Sequence, residues 1–217
     1  MPATGKKTFI GRHSLSLALF ALFLLSWTGL GLTGWKTMNE EADQNVRPRV
    51  TLVGYVQSAE FWSATLENWE SEFLQMAVYV LLTVSLREEG SAESKSCDEE
   101  DDADEGKYPR RYFRDSPALR WLYERSLSFA LFVLFLGSFA GHARFSWIQH
   151  SRENAAAGGS PETFLEFLGT SRLWFESFQN WQSEFLSVAV LVILTIYLRQ
   201  RGSAQSKPVD APHSANE

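Results

Sequence analysis

The sequence predicts an all-α, polytopic membrane protein with four transmembrane helices in two tandem parallel repeats, accompanied by interfacial amphipathic helices. Two observations predict this class. First, the apolar residues are gathered into blocks with almost no charge, and nearly all charged residues lie between the blocks. Second, the stretch NWESEFL at 68–74 returns as NWQSEFL at 180–186. The mean hydropathy of -0.17 is therefore an average over two environments and does not argue against a membrane protein.

The first apolar block, residues 14–35, is long enough to cross a bilayer. It contains no charged residue. At 1.5 Å per residue its helix would extend over roughly 33 Å, about the thickness of the hydrocarbon core. Its copy is 126–147, in which more than half of the aligned positions are identical. The match continues between 62–95 and 174–207 without a gap. One offset across both segments indicates a duplicated unit.

The second span of each repeat has to include the repeated motif. The strictly apolar run that follows the motif is too short to cross a bilayer by itself. Spans of about 68–88 and 180–200 are long enough, and Asn68 and Asn180 would then be their N-caps. The aromatic-rich stretches just before them carry apolar residues at helical spacing, which predicts short amphipathic helices in the membrane interface.

The predicted organisation is two repeats, a linker and a tail. The two-span repeats cover 1–95 and 117–207. The segment between them, 96–116, is first acidic and then basic, and we expect it to be a disordered cytoplasmic linker. Residues 208–217 are expected to form a disordered tail. Pro117 marks the start of a helix that leads to the third span, since proline is favoured at the first helical position.

The distribution of Lys and Arg predicts the topology. These residues are concentrated before the first span, in the central connection and after the last span. The positive-inside rule places those segments, and with them both termini, in the cytoplasm. The expected location is the bacterial inner (cell) membrane. The lipid bilayer is the expected partner, a homo-oligomer is compatible with the sequence, and no basic face of a folded soluble unit points to nucleic acid.

The candidate ion or proton site consists of Glu72 and Glu184, the matching acids of the two motifs. An acid inside a membrane helix is costly and often functional. Two such acids that face each other near a pseudo-twofold axis would form a carboxylate pair for protons or cations. The simpler interpretation is favoured: both lie at headgroup depth in the first turns of their helices, where solvent and the helix dipole stabilise them.

The remaining polar and aromatic residues of the motif region have structural interpretations. The polar ones are helix caps or contacts between helices: Asn68, Asn180, Ser71 and Ser183. The aromatic ones are interfacial anchors at the ends of spans: Trp62, Trp69, Trp174 and Trp181.

Two residues of the third span break the repeat. His142 and Arg144 stand where the first repeat has Leu30 and Leu32. Arg144 is expected to extend to the headgroups. His142 is either a pH-sensitive group or an ordinary interfacial residue, and the second interpretation is favoured. The histidines are scattered and show no metal-ligand spacing, so no metal and no cofactor is predicted.

Several features together resemble a family of bacterial membrane proteins described only as a domain of unknown function. These features are the doubled N-W-[EQ]-S-E-F-L block, the Leu-Arg ending of the span that follows it, and the S-L-S-x-A-L-F spans. The resemblance covers about residues 10–202 without the acidic linker. It implies a four-helix inner-membrane protein and brings no activity, cofactor or catalytic residue.

The sequence contains no P-loop, nucleophile elbow, H-E-x-x-H motif or Gly-rich dinucleotide turn, so no catalytic residue is predicted. We expect a small integral membrane protein with a non-enzymatic, structural or transport-associated role. The alternative is a proton- or cation-coupled permeation unit that uses Glu72 and Glu184. A membrane-embedded enzyme is the least favoured hypothesis, and the ligand is not specified.

Overall fold

The computed structural model describes residues 9–97 and 116–216, and this part of the chain is helical, with no β-strand among the described residues. The predicted all-α class is confirmed. The linker predicted over 96–116 lies almost entirely outside the described residues. The helices are α1 (Phe9–Arg12), α2 (Ser14–Gln44), α3 (Leu52–Val56), α4 (Ala59–Ser85), α5 (Pro117–Glu124), α6 (Ser126–Ala156), α7 (Phe164–Phe167) and α8 (Ser171–Tyr197).

The chain divides into two compact units, and the boundary falls inside α4, between Trp62 and Ser63. The first unit contains α1, α2, α3 and the first turn of α4. The second unit contains the rest of α4 together with α5, α6, α7 and α8. All contacts described below join residues of the same unit.

The long helices recur at the spacing seen in the sequence. α6 repeats the bounds of α2, and α8 repeats the bounds of α4, at the offset of the two motifs. Local hydrogen bonds recur as well. Trp35 Nε1 donates to the carbonyl of Val50 at 2.8 Å in the first unit, and Trp147 Nε1 donates to the carbonyl of Glu162 at 3.0 Å in the second. The two copies of the sequence therefore form the same local structure.

Three helices, α2, α6 and α8, are long and apolar enough to cross a membrane, which indicates a membrane protein. Of the described long helices, α4 is not apolar enough to qualify, although it is as long as α8, with 27 residues each. Its apolar half carries Gln75 and Tyr79 where α8 has Ser187 and Leu191. By composition the structure therefore has three candidate spans, and the fourth predicted span is not among them.

The repeated motif does not start a helix. α4 and α8 begin well before it, at Ala59 and Ser171, so the prediction that Asn68 and Asn180 are N-caps is wrong. The predicted interfacial helix and the predicted span are one continuous helix in each repeat. The Asn68 Nδ2 donates to the carbonyl of Ala64, four residues earlier, at 2.7 Å. This local bond explains how asparagine is accommodated in a helix interior.

The first and third spans continue as helices beyond their predicted ends. α2 extends to Gln44 and α6 to Ala156, through stretches rich in Glu, Ala and Gln, which favour helix. The shorter connections that remain contain α3 and α7, each with a threonine N-cap. At α7 the N–H and hydroxyl of Thr163 donate to the Glu166 carboxylate and hold the pKa of that group below its usual value. α5 begins at Pro117, as predicted.

Aromatic side chains form the interior of the first unit. The rings of Tyr55 and Phe61 meet edge to face with centroids 5.7 Å apart, and Trp27 lies 5.8 Å from Phe61. The Tyr55 hydroxyl reaches α2 at Gly34, where an added Cβ would collide with it. Glycine is therefore required at 34 as long as tyrosine occupies 55.

The segment after α8 folds back onto the end of α4. Lys207 is only 2% exposed, and its Nζ donates to three backbone carbonyls between 212 and 215. The side-chain amide of Asn216 donates to the carbonyl of Glu88 at 2.9 Å. The sequence predicts disorder from 208, but these bonds hold residues 208–216. Composition does not reveal this, because the acceptors are backbone carbonyls rather than apolar side chains.

Gly90 lies just after α4 and is in close contact with the folded-back segment. It has φ +79°, and an added Cβ would collide with the carbonyl oxygen of His213. We expect Gly90→Ala to detach the segment, because the collision involves backbone on both sides and typically costs about 1–3 kcal/mol. Limited proteolysis in detergent with a protease that cleaves before aspartate should then cut before Asp210 several-fold faster than in the wild type.

Gly202 supplies the matched control for this prediction. It is the counterpart of Gly90 in the second repeat and has φ +83°, but no described atom lies within 4 Å of an added Cβ. Gly202→Ala therefore carries the same backbone strain without the collision. Equal cleavage rates in the two variants would show that the contact with His213 does not hold the segment.

Candidate functional site

The interior of the second unit holds a histidine between two carboxylates. His142 on α6 and Glu70 on α4 both have 0% side-chain exposure, and the histidine Nδ1 lies 2.9 Å from Glu70 Oε2. Glu176 on α8 faces the other ring nitrogen, with Nε2 3.3 Å from its Oε2. Three helices thus each contribute one titratable side chain. We call these three residues the His142 cluster.

The face of α6 that carries the cluster is polar and buried. Ser138, His142 and Ser146 recur every four residues, so they share one helix face, and all three are buried. Ser146 Oγ donates to Glu176 Oε2 at 2.7 Å. An apolar core lies beside this face and positions α6, α7 and α8; its fully buried members are Ala143, Phe167 and Leu173.

The outer oxygens of both carboxylates are held by donors. Trp181 Nε1 donates to Glu70 Oε1 at 3.2 Å, and Arg172 Nε donates to Glu176 Oε1 at 3.1 Å. Indole and guanidinium nitrogens can only donate, so both Oε1 atoms act as acceptors. The Oε2 of each carboxyl group is the oxygen that faces His142.

Hydrogen bonds at both ring nitrogens would require one proton more than a neutral imidazole between two carboxylates has. A neutral imidazole has one N–H and one lone pair, so one ring nitrogen would face a carboxylate with lone pair against lone pair. Glu176 is held as an acceptor by Ser146 and Arg172, so the Nε2–H of His142 points to it. The additional proton would lie between His142 Nδ1 and Glu70 Oε2.

The cluster occupies positions at which the two repeats differ. In each case the counterpart residue does not titrate, whereas the surrounding helices have the same bounds in both repeats. The helix bounds therefore recur, whereas the His142 cluster has no equivalent at the matching positions of the first half. The counterparts are Gln182 for Glu70, Leu30 for His142 and Ala64 for Glu176. Ser146, which donates to Glu176, has Gly34 as its counterpart.

Comparison with protein families gives one result. The family described as domain of unknown function (DUF6766) matches residues 6–217. The chain belongs to this family. No curated protein and no solved structure matches it. Membership of the DUF6766 family agrees with the expected family of unknown function, so the role of this DUF6766 protein has to be argued from its own side chains.

Glu72 and Glu184, the acids singled out by the sequence, are not members of the His142 cluster. Glu72 is exposed and Glu184 is half-buried. The hypothesis that they form a paired ion or proton site stays a prediction.

The polar residues of the motif mainly bond locally. Ser71 and Ser183 each donate to a carbonyl three residues earlier at 2.8 Å, that of Asn68 and that of Asn180. Asn180 also donates from Nδ2 to Glu67 Oε1, which links α8 to α4. The matching serines therefore have the same local role in both repeats, whereas Asn180 makes a contact between helices.

The predicted interfacial tryptophans differ in their surroundings. Trp62 and Trp69 are half-buried. Trp174 is 39% exposed and donates to the carbonyl of Leu168 at 3.0 Å. Trp181 donates to Glu70, so it also orients the His142 cluster. The membrane-anchoring role of these four residues stays a prediction.

Sequence reasoning singled out His142 but missed Glu70, Glu176 and Arg172. The available signal was the spacing of Ser138, His142 and Ser146, which marks a polar face on an apolar helix. A second signal was the set of non-matching polar positions in the repeat alignment. Within the described residues no group of three or more His, Cys, Asp or Glu side chains is arranged to hold a metal ion.

Proposed function

We propose that this protein is a non-enzymatic, transport-associated membrane protein that binds and transfers protons through the His142 cluster. One observation carries the proposal: both ring nitrogens of a fully buried histidine face carboxylate oxygens. Histidine can accept a proton at one nitrogen and release one from the other. The arrangement therefore suits proton transfer better than structural support alone.

The transfer balances in protons and charge. A protonated Glu176 gives its proton to Nε2 of a His142 ring that carries its own proton on Nδ1. The ring then gives the Nδ1 proton to the Glu70 carboxylate. The products are an ionised Glu176, a protonated Glu70 and a neutral imidazole in the other tautomer. No cofactor or metal takes part in this step.

The place of the cluster along its helices supports access from one side. His142 lies in the second half of α6, roughly 24 Å from the start of that helix at 1.5 Å per residue. Glu176 lies in the second turn of α8. His142 is thus close to the middle of α6, roughly 21 Å from its end. Glu176 is close to the start of α8, and the most apolar part of α8 follows it.

The proposed topology has four spans, α2, α4, α6 and α8, in two parallel repeats with both termini in the cytoplasm of a bacterial cell. The matching helix bounds and the distribution of Lys and Arg support it. With this topology the 157–163 connection lies outside the cytoplasm, and the cluster takes up protons from that side.

Proton flux into proteoliposomes tests the proposed function. With a potassium diffusion potential and an enclosed pH dye, we expect the wild-type protein to carry protons faster than empty vesicles. His142→Leu, which introduces the residue of the first repeat, should reduce the flux at least tenfold, since the ring that links the carboxylates is gone. His13→Gln, at an exposed histidine, is the control. Wild-type flux equal to that of empty vesicles would refute the proposal.

A second candidate is a proton- or cation-coupled site at Glu72 and Glu184. The presence of both acids at the same place in the two motifs favours it. In the same assay Glu72→Gln and Glu184→Gln should then abolish the flux, while His142→Leu should retain it. The opposite pattern assigns proton transfer to the His142 cluster.

A further inference from the structure

We propose that Arg172 and His150 form a pH-dependent gate at the entrance to the His142 cluster, next to the 157–163 connection. This inference rests on the proposed function and names the regulation of the same site. The guanidinium of Arg172 on α8 joins three groups. Its Nε donates to Glu176 at 3.1 Å, and its Nη1 lies 2.7 Å from Glu153 Oε2 and 3.0 Å from His150 Nδ1.

Exposure rises steadily along this chain of contacts. The side chain of His142 is 0% exposed, that of Glu176 is 23%, that of Arg172 is 34% and that of Glu153 is 50%. Consecutive members are in hydrogen-bond contact. The chain therefore leads from the buried histidine to solvent, and Arg172 lies between Glu176 and Glu153, the most exposed member.

The contact with Arg172 fixes the protonation state of His150. Arginine nitrogen only donates, so His150 Nδ1 acts as acceptor and the ring proton is on Nε2. That nitrogen faces Glu162 Oε2 at 3.5 Å. The other groups that face His150 are Glu153 on the same helix and the ring of Phe167 on α7, with centroids 5.7 Å apart. In this state His150 is neutral.

Protonation of His150 breaks the contact. A proton from water on Nδ1 would place N–H against N–H and one cation beside another, which is repulsive. Arg172 keeps Glu153 as its partner, so it can move towards solvent without losing all its pairing. Glu176 Oε1 then loses its donor, and Glu176 becomes able to take the proton that it passes to His142. With Arg172 in place, Glu176 stays ionised and the route is closed.

The gate residues follow the same asymmetry as the cluster. Arg172 has Glu60 as its counterpart, and His150 has Met38. The first repeat therefore has neither the cation nor the titrating ring, although Glu41 matches Glu153. Gate and cluster occur together in one repeat and are both absent from the corresponding positions of the other.

The experiment measures the initial rate of proton uptake while the pH on the side of the 157–163 connection is lowered from about 8 to 5.5. The wild-type rate should rise steeply within this range, as His150 takes up a proton. His150→Gln can still accept from Arg172 but cannot be protonated, so its rate should stay at the alkaline level, at least fivefold below wild type at pH 5.5.

Arg172→Gln removes the cation and should give a high rate at every pH in this range. The controls are His13→Gln and Arg144→Gln, since Arg144 is an exposed arginine on α6 that stacks on Trp147. Both should keep the wild-type pH profile. Each variant is reconstituted with the same amount of protein that is monodisperse in detergent. A lower rate then reflects a closed gate and not a loss of folded protein.

The outcomes separate the gate from the proposed function. Absence of wild-type flux would refute the proton-transfer function and the gate together. Wild-type flux with an unchanged pH profile in His150→Gln would overturn the gate alone. Ring nitrogen NMR of the wild type at pH 8 adds a test without a variant: the proton of His150 should be on Nε2, and a proton on Nδ1 would overturn the gate.

Discussion

His142→Leu is expected to lower the free energy of unfolding by about 3–5 kcal/mol, the range typical for removing one partner of a buried ion pair. Glu70 has 0% exposure and would keep only Trp181 as its described hydrogen-bond partner, while the cation between the carboxylates is lost. Leucine fits an α6-type helix here, since Leu30 occupies the matching position of α2. Unfolding in mixed detergent and SDS micelles measures the change.

The double variant His142→Leu with Glu70→Gln separates two causes of the stability loss, the unpaired charge of Glu70 and the changed side-chain shape at 142. Glutamine is the counterpart of Glu70 at 182, and it removes the buried negative charge. We expect the double variant to recover a large part of the stability lost by His142→Leu. Arg144→Leu is the matched control, because the first repeat has Leu32 there and Arg144 is exposed; its cost should stay within about 0.5 kcal/mol. Equal costs for the two leucine substitutions would contradict the buried cluster.

The helices could be predicted from the sequence because their signals are local and occur twice. The starts of α2 and α6 follow from the onset of the apolar blocks, and α5 follows from Pro117. The starts of α4 and α8 were misplaced. Asparagine is favoured as an N-cap, but Asn68 is satisfied inside the helix by a carbonyl one turn earlier, and sequence spacing does not distinguish the two cases.

The site was harder to predict because the repeat directs attention to positions that match. Glu72 and Glu184 match and lie within predicted spans, so the sequence points to them. Glu70 and Glu176 have non-titrating counterparts, and they meet His142 from different helices. Their spacing along the chain carries no information about that meeting, which depends on how α4, α6 and α8 assemble. For this chain the positions at which the two copies differ are therefore the more informative ones.

Phe167→Ala is expected to lower the free energy of unfolding by about 3–5 kcal/mol, as is typical for truncating a fully buried phenylalanine. Phe167 is 0% exposed and belongs to the core that Ala143 and Leu173 complete. α7 has only four residues, so it has little stability of its own, and it depends on this ring to stay beside α6 and α8. Unfolding in mixed micelles again measures the loss.

Leu165→Ala is the matched control for this last prediction, since Leu165 lies in the same short helix but is 79% exposed. Its cost should remain within about 0.5 kcal/mol. Phe167 also lies against the ring of His150, whereas His142 contacts Glu70 and Glu176. Phe167→Ala should therefore alter the nitrogen resonances of His150 more than those of His142. Similar stability losses in both variants, or a larger change at His142, would show that α7 does not hold the gate in place.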